Sequence, residues 1–555
     1  MIIGLDMGGT HIDAVIIMNG YIIKRIKKPI DFLNIFESIW MVLRELIIGI
    51  DKSKIKRIHL STTVSTNAIV ENNISPVGMI IQSGPGLGNE FLKVGKESVF
   101  LSGYVDHRGK IVEPLKMDEL DSSIKIFKQN DINSIAVVTK FSPRNPNNEI
   151  RIKEHLINDF TSISLGHTLS GKLNFPRRVY TAYFNAAVYD TFNNFSENLK
   201  KSLEKEDIMA PVYILKADGG LMNLAAANKI PIESILSGPA ASFMGMQAMM
   251  ETKEDAVLLD IGGTTTDVFF LADGVPLFEP LGIRIGNYKT LVRAIYSFSI
   301  GLGGDSSINI INGNISIGPK REGYPCGFGG INPTPTDAMI VLGLMKGNFK
   351  GRADSSMEIL GRELNLSKEE VSKHILDKMG EMIKSKVKEL LLEINSQPVY
   401  TIKELLHGKK IEPKRINIIG GPAKIMSAIL EDKFNIPCFY PKNYDVANAI
   451  GAAFAKTTAE ITLIADTSQG ILSVPEAGIF EKINKSYSLF NARERALKLV
   501  EEKAISLGAN YENIESEVTE ESSFNMVKGF YTTGKNIRIK AQIKPGLSDQ
   551  FRGEK

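Results

Sequence analysis

The sequence predicts an α/β protein built as two related halves that face each other across a cleft, followed by a small α+β appendage. Three observations predict it. The phrase Asp-x-Gly-Gly-Thr-x-x-Asp occurs twice, as DMGGTHID at 6–13 and DIGGTTTD at 260–267. Each copy follows an apolar run of strand length and precedes a second strand-like run. Beyond about residue 469 the texture shifts toward Glu, Lys and Asn, which sets the last segment apart. A chain of 555 residues exceeds one core and suits about three or four domains. The expected divisions are 1–175, 176–468 and 469–555.

Residues 1–5 and 14–18 read as two strands of a meander. Asn19-Gly20 is the hairpin turn before a third strand at 21–26, because this pair supplies the positive φ angles a tight turn needs. Residues 31–48 place Phe32, Ile35, Phe36, Ile39 and Leu43 at helical spacing on one face. Short buried strands follow at 58–60, 77–81 and 135–138, separated by helices. Residues 178–203 read as one long helix, and 211–215 as a strand ahead of Lys216-Ala-Asp-Gly-Gly-Leu-Met222. The second copy then repeats the opening order of strand, Gly-Gly-Thr turn, strand at 268–271 and turn at 272–274. A helix at 367–394, a strand at 415–419 and a helix after Pro422 continue this half. Residues 445–456 form a small-residue helix in which Ala447, Ala449, Gly451, Ala452 and Ala453 permit close backbone packing. The appendage reads as a helix at 491–507 and strands at 525–531 and 536–543.

Composition narrows the function classes. With 43% hydrophobic and 23% charged residues the chain can bury large cores and has no disorder signature. Its 66 basic and 63 acidic residues nearly cancel, so charge gives no support to nucleic-acid binding. Two cysteines, Cys326 and Cys438, argue against a disulfide framework or a multi-cysteine zinc site and suit a reducing cytoplasm. Apolar runs are too short or interrupted to span a membrane. Asp6 breaks the first of them before a signal peptide can form.

The repeated phrase carries the chemistry. A buried strand ends at an Asp, Gly-Gly turns the backbone sharply and exposes its N–H groups, and Thr adds a hydroxyl. Such a turn can cradle phosphate oxygens, since glycine has no Cβ to hold them off. A carboxylate beside phosphates is repulsive unless a divalent cation intervenes, and Mg²⁺ is commonly held by one or two carboxylates with phosphates and waters. Two such loops on facing halves enclose one nucleotide. Gly8, Gly9, Thr10, Gly262, Gly263 and Thr264 are the phosphate candidates, and Asp6 and Asp260 the candidate Mg²⁺ (or Mn²⁺) ligands. Asp13 and Asp267 either join them or anchor their hairpins.

This arrangement resembles the superfamily of actin, heat-shock chaperones and sugar kinases, which implies two ribonuclease H-like (actin-like ATPase) halves around an ATP cleft. The superfamily's adenosine loop matches Ile416-Asn-Ile-Ile-Gly-Gly-Pro-Ala423, with Gly420 and Gly421. Further phrases are similar to those of the hydantoinase/5-oxoprolinase family: Ser61-Thr-Thr-Val-Ser-Thr-Asn-Ala68 preceded by His59, Lys216 to Met222, Ser237-Gly-Pro-Ala240, Ile300-Gly-Leu-Gly-Gly-Asp-Ser306 and Pro333-Thr-Pro-Thr-Asp-Ala338. The resemblance covers roughly residues 1–465 and implies ATP-dependent opening of a cyclic amide, such as a hydantoin or 5-oxoproline. It also implies a separate B-type subunit; a homo-oligomer is a further expectation. Gly301, Gly303 and Gly304 would add donors where charge develops on the γ-phosphoryl group. His59 is either a substrate-side acid or base or a structural histidine. Arg177 and Arg178 either clamp an acidic group or pair at the surface, and Lys216 and Asp218 are cleft candidates. The chain departs from the family pattern at Ser61, Ser65, Lys216-Ala217 and Asp305. A small-molecule kinase and an ATP-gated reactivase of a partner enzyme are the alternative functions on this fold.

Overall fold

The computed structural model describes residues 1–9, 11–31, 34–279, 281–396, 410–511 and 514–554. The first half is built on strands β1 (Ile2–Met7), β2 (His11–Met18), β3 (Tyr21–Pro29), β4 (Arg57–Thr62), β5 (Val212–Leu215) and β6 (Leu221–Asn223). They lie in the order β6-β5-β4-β1-β2-β3. β1 runs antiparallel to β2 and parallel to β4, and β4 runs parallel to β5. Asn19 and Gly20 both take positive φ, 52° and 81°, as the Asn-Gly turn requires.

The second half repeats this plan. Its strands are β7 (Ala256–Ile261), β8 (Thr266–Ala272), β9 (Phe298–Ile300), β10 (Arg415–Ile419) and β11 (Cys438–Phe439). β7 is antiparallel to β8 and parallel to β10, which is parallel to β11. Both sheets therefore share the antiparallel meander with a parallel continuation that defines ribonuclease H-like halves. Helices α1 (Ser237–Met249), α2 (Ala423–Phe434) and α3 (Ala447–Phe454) follow; α1 and α3 pack together between the two sheets.

Three differences from the expected layout have physical causes. The division expected at 175/176 is not a sheet boundary, because β5 pairs with β4 and β6 with β5, which completes the first sheet. The helix expected at 178–203 is two helices, Phe175–Ala187 and Tyr189–Lys205, meeting at Val188, whose ψ of 0° interrupts the regular turn. The carboxy-terminal sheet begins before 469: its central strand is Glu460–Asp466, flanked by Ile471–Val474 and by Tyr531–Ile543. The helix Leu489–Ser506 buries Ala492, Ala496, Leu499 and Val500 against this sheet. A parallel sheet of four strands, Val77–Gln82, Glu97–Phe100, Ser134–Thr139 and Ser162–Leu165, is inserted between β4 and β5. The chain's last strand, Gly553–Glu554, returns to the edge of β3. Among the described residues no helix is long and apolar enough to cross a membrane.

Candidate functional site

The two copies of the phrase fold into the same hairpin. In the first, the Gly8 N–H donates to the His11 carbonyl at 3.0 Å; in the second, the Gly262 N–H donates to the Thr265 carbonyl at 2.9 Å. The strand register sets Asp6 opposite Asp13 and Asp260 opposite Asp267. Directly opposed residues of an antiparallel pair share a face, so each hairpin presents two carboxyl groups side by side. The turn tips Gly9, Gly263 and Thr264 are exposed, and a side chain added at Gly9 would meet nothing within 4 Å. Thr10 lies outside the described residues.

The four aspartates form one electrostatic cluster. Burial, then the neighbouring Asp13, pushes Asp6 up to about 7. Burial, then Asp260, pushes Asp267 up to about 7. Burial also raises Asp260, and raises Asp13 against the pull of Lys27, whose ammonium lies 2.8 Å from it. Asp13 also feels the Asp260 carboxylate, so the two hairpins face each other.

Two residues that sequence reasoning missed connect the halves. Asn448 of α3 donates its amide to Asp6 Oδ2 at 3.2 Å. Ser242 of α1 sits 2.6 Å from Asp260 Oδ2 and 3.1 Å from Asn448 Oδ1. One hydroxyl proton cannot serve both acceptors. The Ser242 hydroxyl donates to one of these two acceptors at a time, and the line Asp260–Ser242–Asn448–Asp6 joins the two halves. The signal available in the sequence was a polar residue in each small-residue helix, Ser242 four positions after Gly238 and Asn448 amid alanines.

The residues present fit a divalent cation bound together with phosphates. Oδ1 of Asp6 and Oδ1 of Asp13 are buried without a hydrogen-bond partner, a costly state that a cation relieves. Among the described residues no group of three or more His, Cys, Asp or Glu side chains is arranged to hold a metal ion by itself.

The glycine loops divide into two kinds. Gly420, at φ 93°, packs on the end of β7, where an added Cβ would lie 2.2 Å from the Ile261 carbonyl oxygen. Gly421 beside it is open, with nothing within 4 Å of an added Cβ. The Gly301–Gly304 loop differs from expectation. The Gly304 N–H donates to Gly262 O at 2.9 Å, the Asp305 N–H to Gly263 O at 2.7 Å, and the Gly303 N–H to Ser306 Oγ at 2.8 Å. These donors are committed to bracing the second turn, and they are not free for a phosphoryl group. Gly301 packs against Pro319. Asp305, the departure from the family pattern, lies over Gly263 and pairs with Arg321 at 3.1 Å. Burial, then Lys27 and Arg321, lowers the pKa of His11, while Asp305 opposes them. The Asp305–Arg321 pair therefore faces the first hairpin from the second half.

Two of the remaining phrases meet beside Asp6. Thr62 and Ser237 exchange hydrogen bonds of 3.0 and 2.8 Å, and Thr63 Oγ1 donates to the Met7 carbonyl at 3.2 Å. His59 does not join them. It is buried under α3 with Nδ1 3.1 and 3.0 Å from the Ala452 and Ala453 carbonyls, so Nδ1 carries the proton. Burial holds its pKa at about 4 and keeps the ring neutral. Its geometry is structural: His59→Ala is expected to cost about 2–3 kcal/mol in a urea melt. The pH profile of turnover by the folded fraction should not move; a displaced profile would restore His59 as an acid or base. Arg177 and Arg178 donate to backbone carbonyls, Arg178 to Thr139 and Lys140 at 2.8 and 2.6 Å.

Comparison with known proteins agrees with this geometry. The sequence profile described as Hydantoinase/oxoprolinase N-terminal region matches residues 2–159, and that described as Hydantoinase/oxoprolinase matches residues 178–461. The chain is 23% identical to the caprolactamase subunit alpha of Pseudomonas jessenii, over 65% of this chain and 55% of that protein. It is 23% identical to the acetophenone carboxylase gamma subunit of Aromatoleum aromaticum, over 61% of this chain and 53% of that protein. The chain thus spans about half the length of these curated relatives. Its fold matches the crystal structure of ATP-dependent caprolactamase from Pseudomonas jessenii with a TM-score of 0.72 at 16% identity, covering 100% of this chain and 88% of that one. The two profile matches, together covering most of the chain, lead to one assignment: the chain belongs to the hydantoinase/oxoprolinase family.

Proposed function

We propose that the chain binds ATP between its two halves and uses it to open a small cyclic amide, working beside a separate subunit. The observation that carries the reading is the facing pair of hairpins, with Asp6 and Asp260 tied together through Asn448 and Ser242. The relationship to a lactam-opening enzyme subunit supports the substrate class. An unstrained amide is a poor electrophile, and transfer of the γ-phosphoryl group to its oxygen makes that oxygen a leaving group. One water then adds to the carbonyl carbon and the C–N bond breaks, which frees the amine and leaves an acyl phosphate; a second water hydrolyses that acyl phosphate, and the products are the opened ring, ADP and phosphate.

In this reading Gly9, Gly263 and Thr264 offer the donors that hold phosphate oxygens, and Gly421 admits the adenosine. Asp6 and Asp260 are the residues that would hold Mg²⁺ or Mn²⁺, which supplies charge screening between carboxylates and phosphates. Thr63 and Gly238, where an added Cβ would lie 3.6 Å from the Thr63 methyl carbon, border the space where the ring would lie beside Met7. Arg321, held by Asp305, is placed to neutralise charge on the transferred group.

A screen of phosphate release with hydantoin, 5-oxoproline, 2-pyrrolidone and caprolactam tests the reading, run with and without the partner subunit. One ring should raise ATP turnover by roughly tenfold or more and be recovered in opened form. No stimulation by any ring under either condition defeats it. A second reading, ATP-dependent carboxylation of a ketone, has support from the equally similar acetophenone carboxylase subunit. It predicts stimulation by acetophenone with bicarbonate in the same screen. A phosphorylated product that persists in phosphorus NMR would instead mark a kinase.

A further inference from the structure

Lys216 and Asp218 do not reach the phosphate turns. They line a separate cavity of about 90 Å³ where four parts of the chain meet: the inserted sheet unit at 168–172, the first half at 216–233, the second half at 291–293 and the carboxy-terminal domain at 458–507. Among the described residues none of either Gly-Gly turn lines it.

The walls carry charges of both signs, and most are already satisfied. Arg293 pairs with Glu460 at 3.1 Å. Asp218 accepts the Gly220 N–H at 2.9 Å and the Thr458 hydroxyl at 3.2 Å, with Lys216 at 3.3 Å. Glu476 accepts the Gly171 and Thr462 N–H groups at 2.7 and 3.1 Å. Three groups remain under-used. Lys503 donates to the Glu460 carbonyl oxygen at 3.2 Å and has two further donors. Lys172 forms no ion pair among the described residues. Glu233 has only a long contact to Lys216, at 3.9 Å. Burial lowers the pKa of both lysines and raises that of Glu233, so each would gain from a counter-ion.

We propose that this cavity binds a small zwitterionic amino acid, its carboxylate toward Lys172 and Lys503, its ammonium toward Glu233, and its hydrocarbon spacer against Ile232 and Leu291. A simple anion would leave Glu233 unanswered, and a simple cation would leave the two lysines so. The volume equals that of a few waters and limits the ligand to a handful of heavy atoms. Because the ligand touches all four parts, it ties the carboxy-terminal domain to both halves. The assignment does not rest on the ring-opening reading.

The test is calorimetry and thermal melting of the full chain without nucleotide, so that its outcome is independent of ATP turnover. The ligands are glycine, β-alanine and 4-aminobutanoate, with acetate and methylammonium as single-charge controls. At least one amino acid should bind saturably and raise the melting temperature, while neither control does so at equal concentration. Glu233→Gln and Lys172→Met should each weaken binding by roughly tenfold or more. Binding by none of the three amino acids, or equal binding by acetate, overturns the proposal. If either variant does not fold, the contrast between amino acids and controls on the wild-type chain decides.

Discussion

Asparagine in place of Asp260 is expected to leave a folded protein whose ATP turnover falls by on the order of a hundred- to a thousandfold. The amide keeps the size of the carboxyl group and a polar partner for Ser242, which lies 2.6 Å from Asp260. It lacks the charge that would hold a divalent cation against the phosphates. Stability should move the other way. Burial raises the pKa of Asp260, which means the folded chain disfavours its charged form, and a neutral isostere removes that penalty. Asp6 and Asp267, both pushed up to about 7, sharpen the same expectation. A carboxyl group with a folded pKa above its unfolded value of about 4 binds more proton when folded. Its contribution to stability therefore falls as pH rises from about 4 to about 7 and is level above that. Urea melts without nucleotide should show the wild type losing stability across this window. Asp6→Asn and Asp267→Asn should flatten the slope. Near-normal turnover in a folded Asp260→Asn variant would remove Asp260 from the site.

What could be read in advance follows the range of the interactions concerned. The two Asp-x-Gly-Gly-Thr-x-x-Asp phrases are local: strand, turn and register all sit within a few residues, so the pairing of Asp6 with Asp13 and of Asp260 with Asp267 was legible. The Asn448–Asp6 bond spans positions that only the closed fold brings together, and a lone polar residue in an alanine-rich helix does not announce its partner. Glycines were ambiguous for another reason. Lack of a Cβ goes equally with open space, as at Gly9 and Gly421, and with backbone touching backbone, as at Gly303 against the Gly263 carbonyl. His59 shares a strand face with Ser61, and Ser61 stands opposite Asp6; His59 stands opposite Gly4, one pair deeper, where α3 covers it. Membership of β5 and β6 in the first sheet depends on parallel pairing with β4 across some 150 residues of intervening chain, which periodicity cannot see.

Valine at Gly451 should be the most damaging single change outside the phosphate turns, costing about 3 kcal/mol or more in a urea melt. A Cβ at Gly451 would lie 2.0 Å from the Ala241 carbonyl oxygen and 2.5 Å from the Gly245 nitrogen, both backbone atoms of α1. The contact is reciprocal, since a Cβ at Gly245 would lie 2.1 Å from the Ala447 carbonyl oxygen of α3. On its other side α3 meets β1, where a Cβ at Gly4 would lie 2.2 Å from the Ala449 carbonyl oxygen. No flexible side chain is available to yield at these points, so the helices themselves must separate. Ser242 rides on α1 and Asn448 on α3, and a wedge between those helices pulls apart the bridge from Asp260 to Asp6. Nucleotide binding should therefore weaken in whatever fraction of Gly451→Val folds. Gly351 gives the control: it lies in the helix Lys350–Leu364 with nothing within 4 Å of an added Cβ. Gly351→Ala should be neutral or stabilising by up to about 1 kcal/mol, through helix propensity alone. A wild-type melt for Gly451→Val beside that control would mean that α1 and α3 separate at no cost, and the close helix contact would lose its role in holding the two halves over one nucleotide.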